Sequence, residues 1–183
     1  HLQPPKKRDR GRFVVIDGTS LRSLEIERTM RSGSIDGSLV GALQGCRTAM
    51  GKRLLRQWLC FPLRDHESIR RRQDAVAPLR DDARLAGDLT GRLDAGQDVA
   101  RIIGRVALGR ATPRDLVAIG RSSVEITELA SLLGDCPAFA RTASRLVALG
   151  ATLVPIARTI LETCVDEPPA HAREGGVIRD GVD

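Results

Sequence analysis

The spacing of apolar residues between Thr48 and Pro62 constrains the fold of this chain more than any other feature. Met50, Leu54, Leu55, Trp58 and Leu59 follow one another at gaps of four, one, three and one. That is the period of an α-helix with a single apolar stripe; a strand would show strict alternation. Thr48 offers a hydroxyl to cap the first turn, and Pro62 closes the helix because it lacks an N–H and clashes with a preceding turn. The same period governs the chain from Ser38 onward. Leu39, Val40 and Leu43 predict a short helix ending at Gly45. Asp65 is placed to cap a helix that buries Ile69, Val76 and Leu79. Further stripes run through Leu85, Ala86, Leu89 and Leu93, and through Val99, Ile102, Ile103 and Val106.

Thr112-Pro113-Arg114-Asp115 carries the clearest local signal. Thr supplies the cap oxygen, Pro sits where a missing donor costs nothing, and Asp faces the positive end of the helix dipole. A long helix is expected from Pro113 to Leu133. Two more should follow, one through Phe139, Leu146 and Leu149, the other through Leu153, Ile156, Ile160, Leu161 and Cys164, with Pro168 and Pro169 ending the last. Near the N-terminus, Phe13, Val14, Val15 and Ile16 suit one buried extended segment, and Thr19 or Ser20 should cap the helix after it. Residues 31–37, with their Gly and Ser, read as a loop. Residues 175–181 read as a short strand bounded by turns. The expected fold is mainly α: an irregular multi-helix bundle with a short extended segment near each end. Residues 1–12 are expected to be a linker and 13–183 one helical body.

The net charge of +6 is unevenly spread. Residues 1–12 carry +4 and residues 48–72 carry +5, from Lys52, Arg53, Arg56, Arg64, Arg70, Arg71 and Arg72 against Asp65 and Glu67, whereas residues 73–183 carry −3. Local basicity leaves open an autonomous DNA-binding module, but solvated helix faces explain it more simply. Cys46, Cys60, Cys136 and Cys164 form no C-x-x-C pair, which argues against structural zinc and fits a reducing compartment. No apolar run approaches the length needed to cross a bilayer, so a soluble, cytoplasmic protein is expected. The start at His1 and the stop just beyond Gly181 are expected to be cuts from something longer.

The stretch Gly45-Cys46-Arg47-Thr48-Ala49-Met50-Gly51-Lys52-Arg53 has the outline of a phosphate-binding loop and fails as one. Five residues separate its glycines where four are needed, and Arg53 stands where a hydroxyl should hold magnesium. His1, His66 and His171 do not neighbour a Ser or Cys in an exposing turn, and the carboxylates are scattered singly. No catalytic, cofactor-binding or metal-binding residue is assigned.

One family is recognisable in the blocks of this chain. Ser38-Leu39-Val40-Gly41-Ala42-Leu43, then Thr48 through Leu59, then Pro62-Leu63-Arg64-Asp65, then Ile69 with Arg72, Ala75 and Val76, resemble the core domain (domain III) of MutS-type DNA mismatch-repair proteins. Ile16-Asp17-Gly18-Thr19 with Leu24-Glu25-Ile26 is similar to the opening of that domain. Residues 104–116 are similar to its middle, and residues 166–181 to its exit. The blocks span residues 13–183 in order. Gly18, where the family usually has Ala, and Val182, where an aromatic is usual, are the departures.

The resemblance implies a helical core or lever domain between a connector domain and a DNA clamp, ending before the clamp insertion. It implies no ATP site in this fragment, with ATP and magnesium bound elsewhere in the parent. It further implies mismatched duplex DNA, a second copy of the parent and a MutL-type protein as partners, nucleoid association, and no membrane. A paralogue acting in recombination fits the same blocks. Gly51, Arg53, Leu54, Trp58, Pro62, Arg64 and Asp65 are the structural and coupling candidates. Gly51 is expected to allow close helix approach, Trp58 to fill the core, Pro62 to fix a bend, and Arg64 with Asp65 to tie helix ends together.

Overall fold

The computed structural model describes residues 10–182. Of the expected linker 1–12, residues 1–9 lie outside the described residues. Among the described residues there are eight α-helices: α1 Gly18–Ser23, α2 Leu39–Ala42, α3 Ala49–Cys60, α4 His66–Asp81, α5 Ala83–Asp94, α6 Val99–Ala107, α7 Pro113–Gly134 and α8 Ala140–Thr163. Phe13 pairs antiparallel with Leu63, and Cys164 with Ile178. The mainly α fold with an extended piece near each end is the one the apolar period predicts. The chain forms two compact units, His1–Val76 and Ala77–Asp183, where one body was expected. The boundary falls inside α4 just before Pro78, which cannot donate the helical hydrogen bond of its position.

In the first unit, α1 is capped by Asp17, not by Thr19 or Ser20. One carboxylate oxygen accepts from the backbone N–H of Thr19 (2.8 Å) and of Ser20 (2.9 Å), and the other accepts from the Ser20 hydroxyl (2.7 Å). A carboxylate reaches all three donors, which a hydroxyl cannot. α2 is opened by Ser38, whose buried hydroxyl accepts from Gly41 N–H (3.1 Å) and donates to the Ile35 carbonyl (2.6 Å). A Cβ at Gly41 would lie 2.3 Å from the Ile35 oxygen, so only glycine fits. Leu39 and Val40 donate their N–H groups to the carbonyls of Glu25 (3.0 Å) and Ile26 (2.9 Å), which seats α2 on the chain before it. Residues 13–16 are extended as expected but not buried, with Val15 70% exposed.

The second unit is organised on α7. Its first turn holds the capping box read from the sequence: Asp115 N–H donates to Thr112 Oγ1 (3.2 Å) and Thr112 N–H donates to Asp115 Oδ2 (3.0 Å). The same carboxylate receives both arms of Arg105 from the last turn of α6, with Nε to Oδ2 at 2.9 Å. This guanidinium, helped by the Thr112 bonds, holds the Asp115 carboxyl down at about 2. Arg92 of α5 donates to Glu125 (3.2 Å) and Glu128 (3.0 Å) on α7.

α7 and α8 lie antiparallel along a seam of small residues. Val117, Gly120, Ser123, Ala130 and Leu133 are buried on α7, and Ala143, Gly150 and Ala157 on α8. The α8 residues recur every seven positions, so one narrow stripe faces α7 along its whole length. A Cβ at Gly120 would lie 3.0 Å from Leu161 Cγ and 3.4 Å from the Ala157 oxygen, and one at Gly150 would lie 3.6 Å from Thr127 Oγ1. α8 runs unbroken through Gly150 and Pro155, where two helices were expected. The proline removes one backbone bond, but the seam grips the helix on both sides of it.

Within Pro137–Thr163, which is 27 residues long, an 18-residue stretch has a mean hydropathy of 1.4, enough by length and composition to cross a bilayer. Such helices also occur in the interiors of soluble proteins, so length and composition alone assign no membrane.

Two tests follow from this packing. Gly120→Leu should lower stability by about 2–3 kcal/mol through overpacking. Gly87→Ala, in a part of α5 with nothing within 4 Å of the new Cβ, should raise it by about 0.5–1 kcal/mol. Urea midpoints of the two variants check both signs. Because the Asp115 carboxyl is depressed from 3.8 to about 2, its stabilisation is fully present above pH 4 and is lost as pH falls through 2. Asp115→Asn should remove this pH-dependent term, on the order of 1 kcal/mol after screening. Acid titrations of stability, compared between the two proteins, measure it.

Candidate functional site: the α3–α4 corner

All seven candidate residues fall on α3 or on the short turn that carries the chain into α4. α3 opens on Thr48, whose hydroxyl accepts from Gly51 N–H at 2.9 Å. The outline of a phosphate loop around Gly51 and Lys52 is thus a helix start, with its cap donor already engaged. A Cβ at Gly51 would sit 3.0 Å from that hydroxyl and 3.4 Å from Cys46 Cβ. Gly51 therefore makes room for its own cap and the loop before it, and not for a neighbouring helix as expected.

Pro62 and its neighbours turn the chain by backbone pairing. Val14 N–H donates to the Pro62 carbonyl (2.9 Å), and Arg64 N–H donates to the Arg12 carbonyl (3.0 Å), on either side of the Phe13 and Leu63 pair. The bend is fixed by proline geometry together with this two-strand clasp. Asp65 then caps α4, accepting from Ser68 N–H at 2.8 Å. Hydrogen bonding to Ser68 lowers the Asp65 carboxyl from its ordinary value, so it is charged when it caps. Arg64 contributes its backbone and is exposed, and among the described residues no ion pair joins it to Asp65. The expected tie between helix ends is a backbone clasp followed by a cap.

The apolar stripe of α3 is wider than the side its own unit covers. Leu55 and Leu59 are half-buried and Cys60 is buried, but Leu54 is 46% and Trp58 39% exposed. Trp58 does not fill the core. The guanidinium of Arg72, one helix on, lies 3.5 Å from the centre of its ring. Arg53 is exposed. On α4, Val76 is 61% exposed, against the expectation that it is buried.

Sequence reading missed a second centre on the covered side of α3. Arg56 pairs with Glu27, 29 residues earlier, and the Cys60 thiol bonds to the same carboxylate. The Arg56 hydrogen bond lowers the Glu27 carboxyl, while burial and then Glu27 raise the Cys60 thiol. A raised, buried thiol is poorly reactive, so this cluster fastens α3 to the loop after α1. An opposite-charge pair so distant in sequence carries no local signal. Arg72 could have been noticed from its place in an Arg-rich run, though not its stacking on Trp58.

Caps, a clasp, an ion pair and a stacked cation are the parts of a helical scaffold, fixing the directions of helices. The family model for MutS domain III matches residues 19–180 of this scaffold. The chain belongs to the MutS domain III family. It is 40% identical over its whole length to a DNA mismatch repair protein MutS of Microcystis aeruginosa and 40% identical over its whole length to one of a Synechococcus species. It is 36% identical, over 99% of its length, to one of Methanothrix thermoacetophila. The chain spans about a fifth of the length of these relatives.

The geometry of the corner sets an order of effects. Thr48→Ala and Asp65→Ala should each cost about 1 kcal/mol by removing a cap. Arg64→Ala, which leaves the backbone clasp in place, should change stability by less than about 0.5 kcal/mol. Denaturation midpoints of the three variants rank them, and a larger loss at Arg64 than at Asp65 would contradict the assignment.

Proposed function

We propose that this chain is the helical core and lever segment of a MutS-type mismatch-repair protein. In that role it couples the ATPase part of the parent to its DNA clamp and mismatch-reading parts. The parent binds mismatched duplex DNA, takes ATP with magnesium at a site outside these residues, acts as a dimer and signals to a MutL-type protein. Its place is the cytoplasm, at the nucleoid. The observation that carries this reading is the ordered match of residues 19–180 to MutS domain III, with whole-chain identity to proteins named as mismatch-repair MutS.

The physical support is the α7 and α8 pair. Close-packed interiors resist compression, so a helix pair in contact along its whole length passes a displacement from one end to the other with little loss. A second reading, an autonomous DNA-binding module, rests on the +5 charge of residues 48–72. Phosphate contacts would make its affinity fall steeply with salt.

The decisive variant is Gly120→Leu in the parent protein, which pushes the seam apart without touching an ATP site. Mismatched duplex should stimulate ATP turnover about ten-fold less in the variant, while turnover without DNA is unchanged. Undiminished stimulation in a protein shown to have a weakened seam would refute the lever role. Salt-sensitive, sub-micromolar duplex binding by residues 1–183 alone would favour the DNA-binding module.

A further inference from the structure

We propose that the outward side of α3, with Leu54, Trp58 and Phe61 beside Arg72, is a docking surface for an apolar patch bearing carboxylates, supplied by the same polypeptide outside residues 1–183. The proposal rests on the reading that this chain is one segment of a MutS-type protein.

Leu54 and Trp58 stand four residues apart and so share one side of α3, Phe61 follows at its C-cap, and each is more than a third exposed. The chain has one Trp, three Phe and no Tyr. Two of its four aromatic residues lie at the C-terminal end of α3, both exposed, a concentration unlike single apolar residues scattered over a surface. Trp and Arg are also the residues that dominate binding energy at buried contacts.

Arg72 defines the chemistry of the occupant. One flat side of its guanidinium lies on Trp58, and burial lowers its pKa from the ordinary value while leaving it charged. Arg56 and Arg71 pair with Glu27 and Glu67 in the same unit. Among the described residues no carboxylate pairs with Arg72. The N–H donors along the edge of a stacked guanidinium remain free for the two oxygens of a carboxylate. With Arg56 and Arg71 already paired, exposed Lys52, Arg64 and Arg70 in the same unit still leave an excess of positive charge, which favours an acidic surface around that carboxylate.

Two other occupants fit less well. A second copy meeting this side about a two-fold axis would bring Arg72 with its basic neighbours against the same cations and supply no carboxylate. Duplex DNA would satisfy Arg72 but leave Leu54, Trp58 and Phe61 facing phosphates, with no apolar counterpart. On that reading the same polypeptide has ample length for the task, because this chain spans only 20% of the length of the two cyanobacterial relatives.

The test uses the full-length parent with benzoylphenylalanine in place of Phe61, and in a control at Ser32, irradiated at high dilution without DNA. The expected result is an intramolecular crosslink from position 61 to a peptide outside residues 1–183 that contains Asp or Glu. Its yield should be at least about five-fold above the control, and Arg72→Glu should lower it about ten-fold through like-charge repulsion. Reversing the charge of the crosslinked carboxylate in the Arg72→Glu background should restore it. That restoration also excludes misfolding as the cause of the loss. A crosslink between two copies, or a yield no higher than at Ser32, overturns the proposal. ATP stimulation in the Gly120→Leu parent keeps the two readings apart: undiminished stimulation there with the position-61 crosslink intact counts against the lever alone, and diminished stimulation there with no such crosslink counts against docking alone.

Discussion

The contact on which the second unit depends is the seam where α7 and α8 approach through Gly120, Ser123, Ala130, Ala143, Gly150 and Ala157. Small side chains let two backbones come close, and the larger Val117, Leu133 and Leu161 then pack against main chain as well as side chains. Dispersion over such a length exceeds what the ion pairs contribute. The Arg92 contacts with Glu125 and Glu128 are substantially exposed and are worth at most about 1 kcal/mol. A single buried Leu or Val is worth roughly 1.5–3 kcal/mol. The ion pairs therefore orient elements that the seam has already fixed. Arg105 does so for α6, and Arg114 and Arg121 do so for the final segment, donating to the carbonyls of Pro168 (3.0 Å) and Asp166 (2.8 Å).

The first unit achieves definition by other means. Its helices are short, and a four-residue helix such as α2 cannot persist on propensity alone. Side chains and main chain carry the specification there. Ser38 closes a loop and starts a helix with one hydroxyl, Asp17 caps with both carboxylate oxygens, and residues 12–14 clasp residues 62–64. Each device spans few residues and leaves little freedom in where the next helix points. That explains why the Pro62 to Asp65 turn has a fixed direction although Arg64 and Asp65 project into solvent.

What could be read in advance follows the range of the forces involved. The Thr112 to Asp115 box and the Thr48 cap were legible because cap and donor lie within four residues. The start of α1 was misplaced because Asp17, Thr19 and Ser20 are all competent caps, and only the geometry of one carboxylate serving several donors decides among them. α8 was divided in two because Gly150 and Pro155 oppose helix locally, whereas the contact that holds them in a helix comes from α7. Arg56 with Glu27 and Arg72 with Trp58 depend on segments brought together by turns. No periodicity encodes those meetings.

Trp58 shows where amphipathic pattern stops being informative. A stripe of Met50, Leu54, Leu55, Trp58 and Leu59 says which side of a helix prefers to leave water, but not what covers it. In this unit Leu55 and Leu59 are covered while Leu54 and Trp58 remain largely open. α8 repeats the lesson, since Leu149 and Ile156 are apolar and exposed off the seam stripe. A helix apolar on several sides suits an interior with several walls, and within this unit α7 covers one side of α8. The open sides also differ in kind. α8 offers aliphatic surface suited to plain burial, whereas α3 offers Trp58 with a cation stacked on it, which asks for a partner of defined charge. Burial alone would make one side adhesive to any apolar surface; the charge on the other makes it selective.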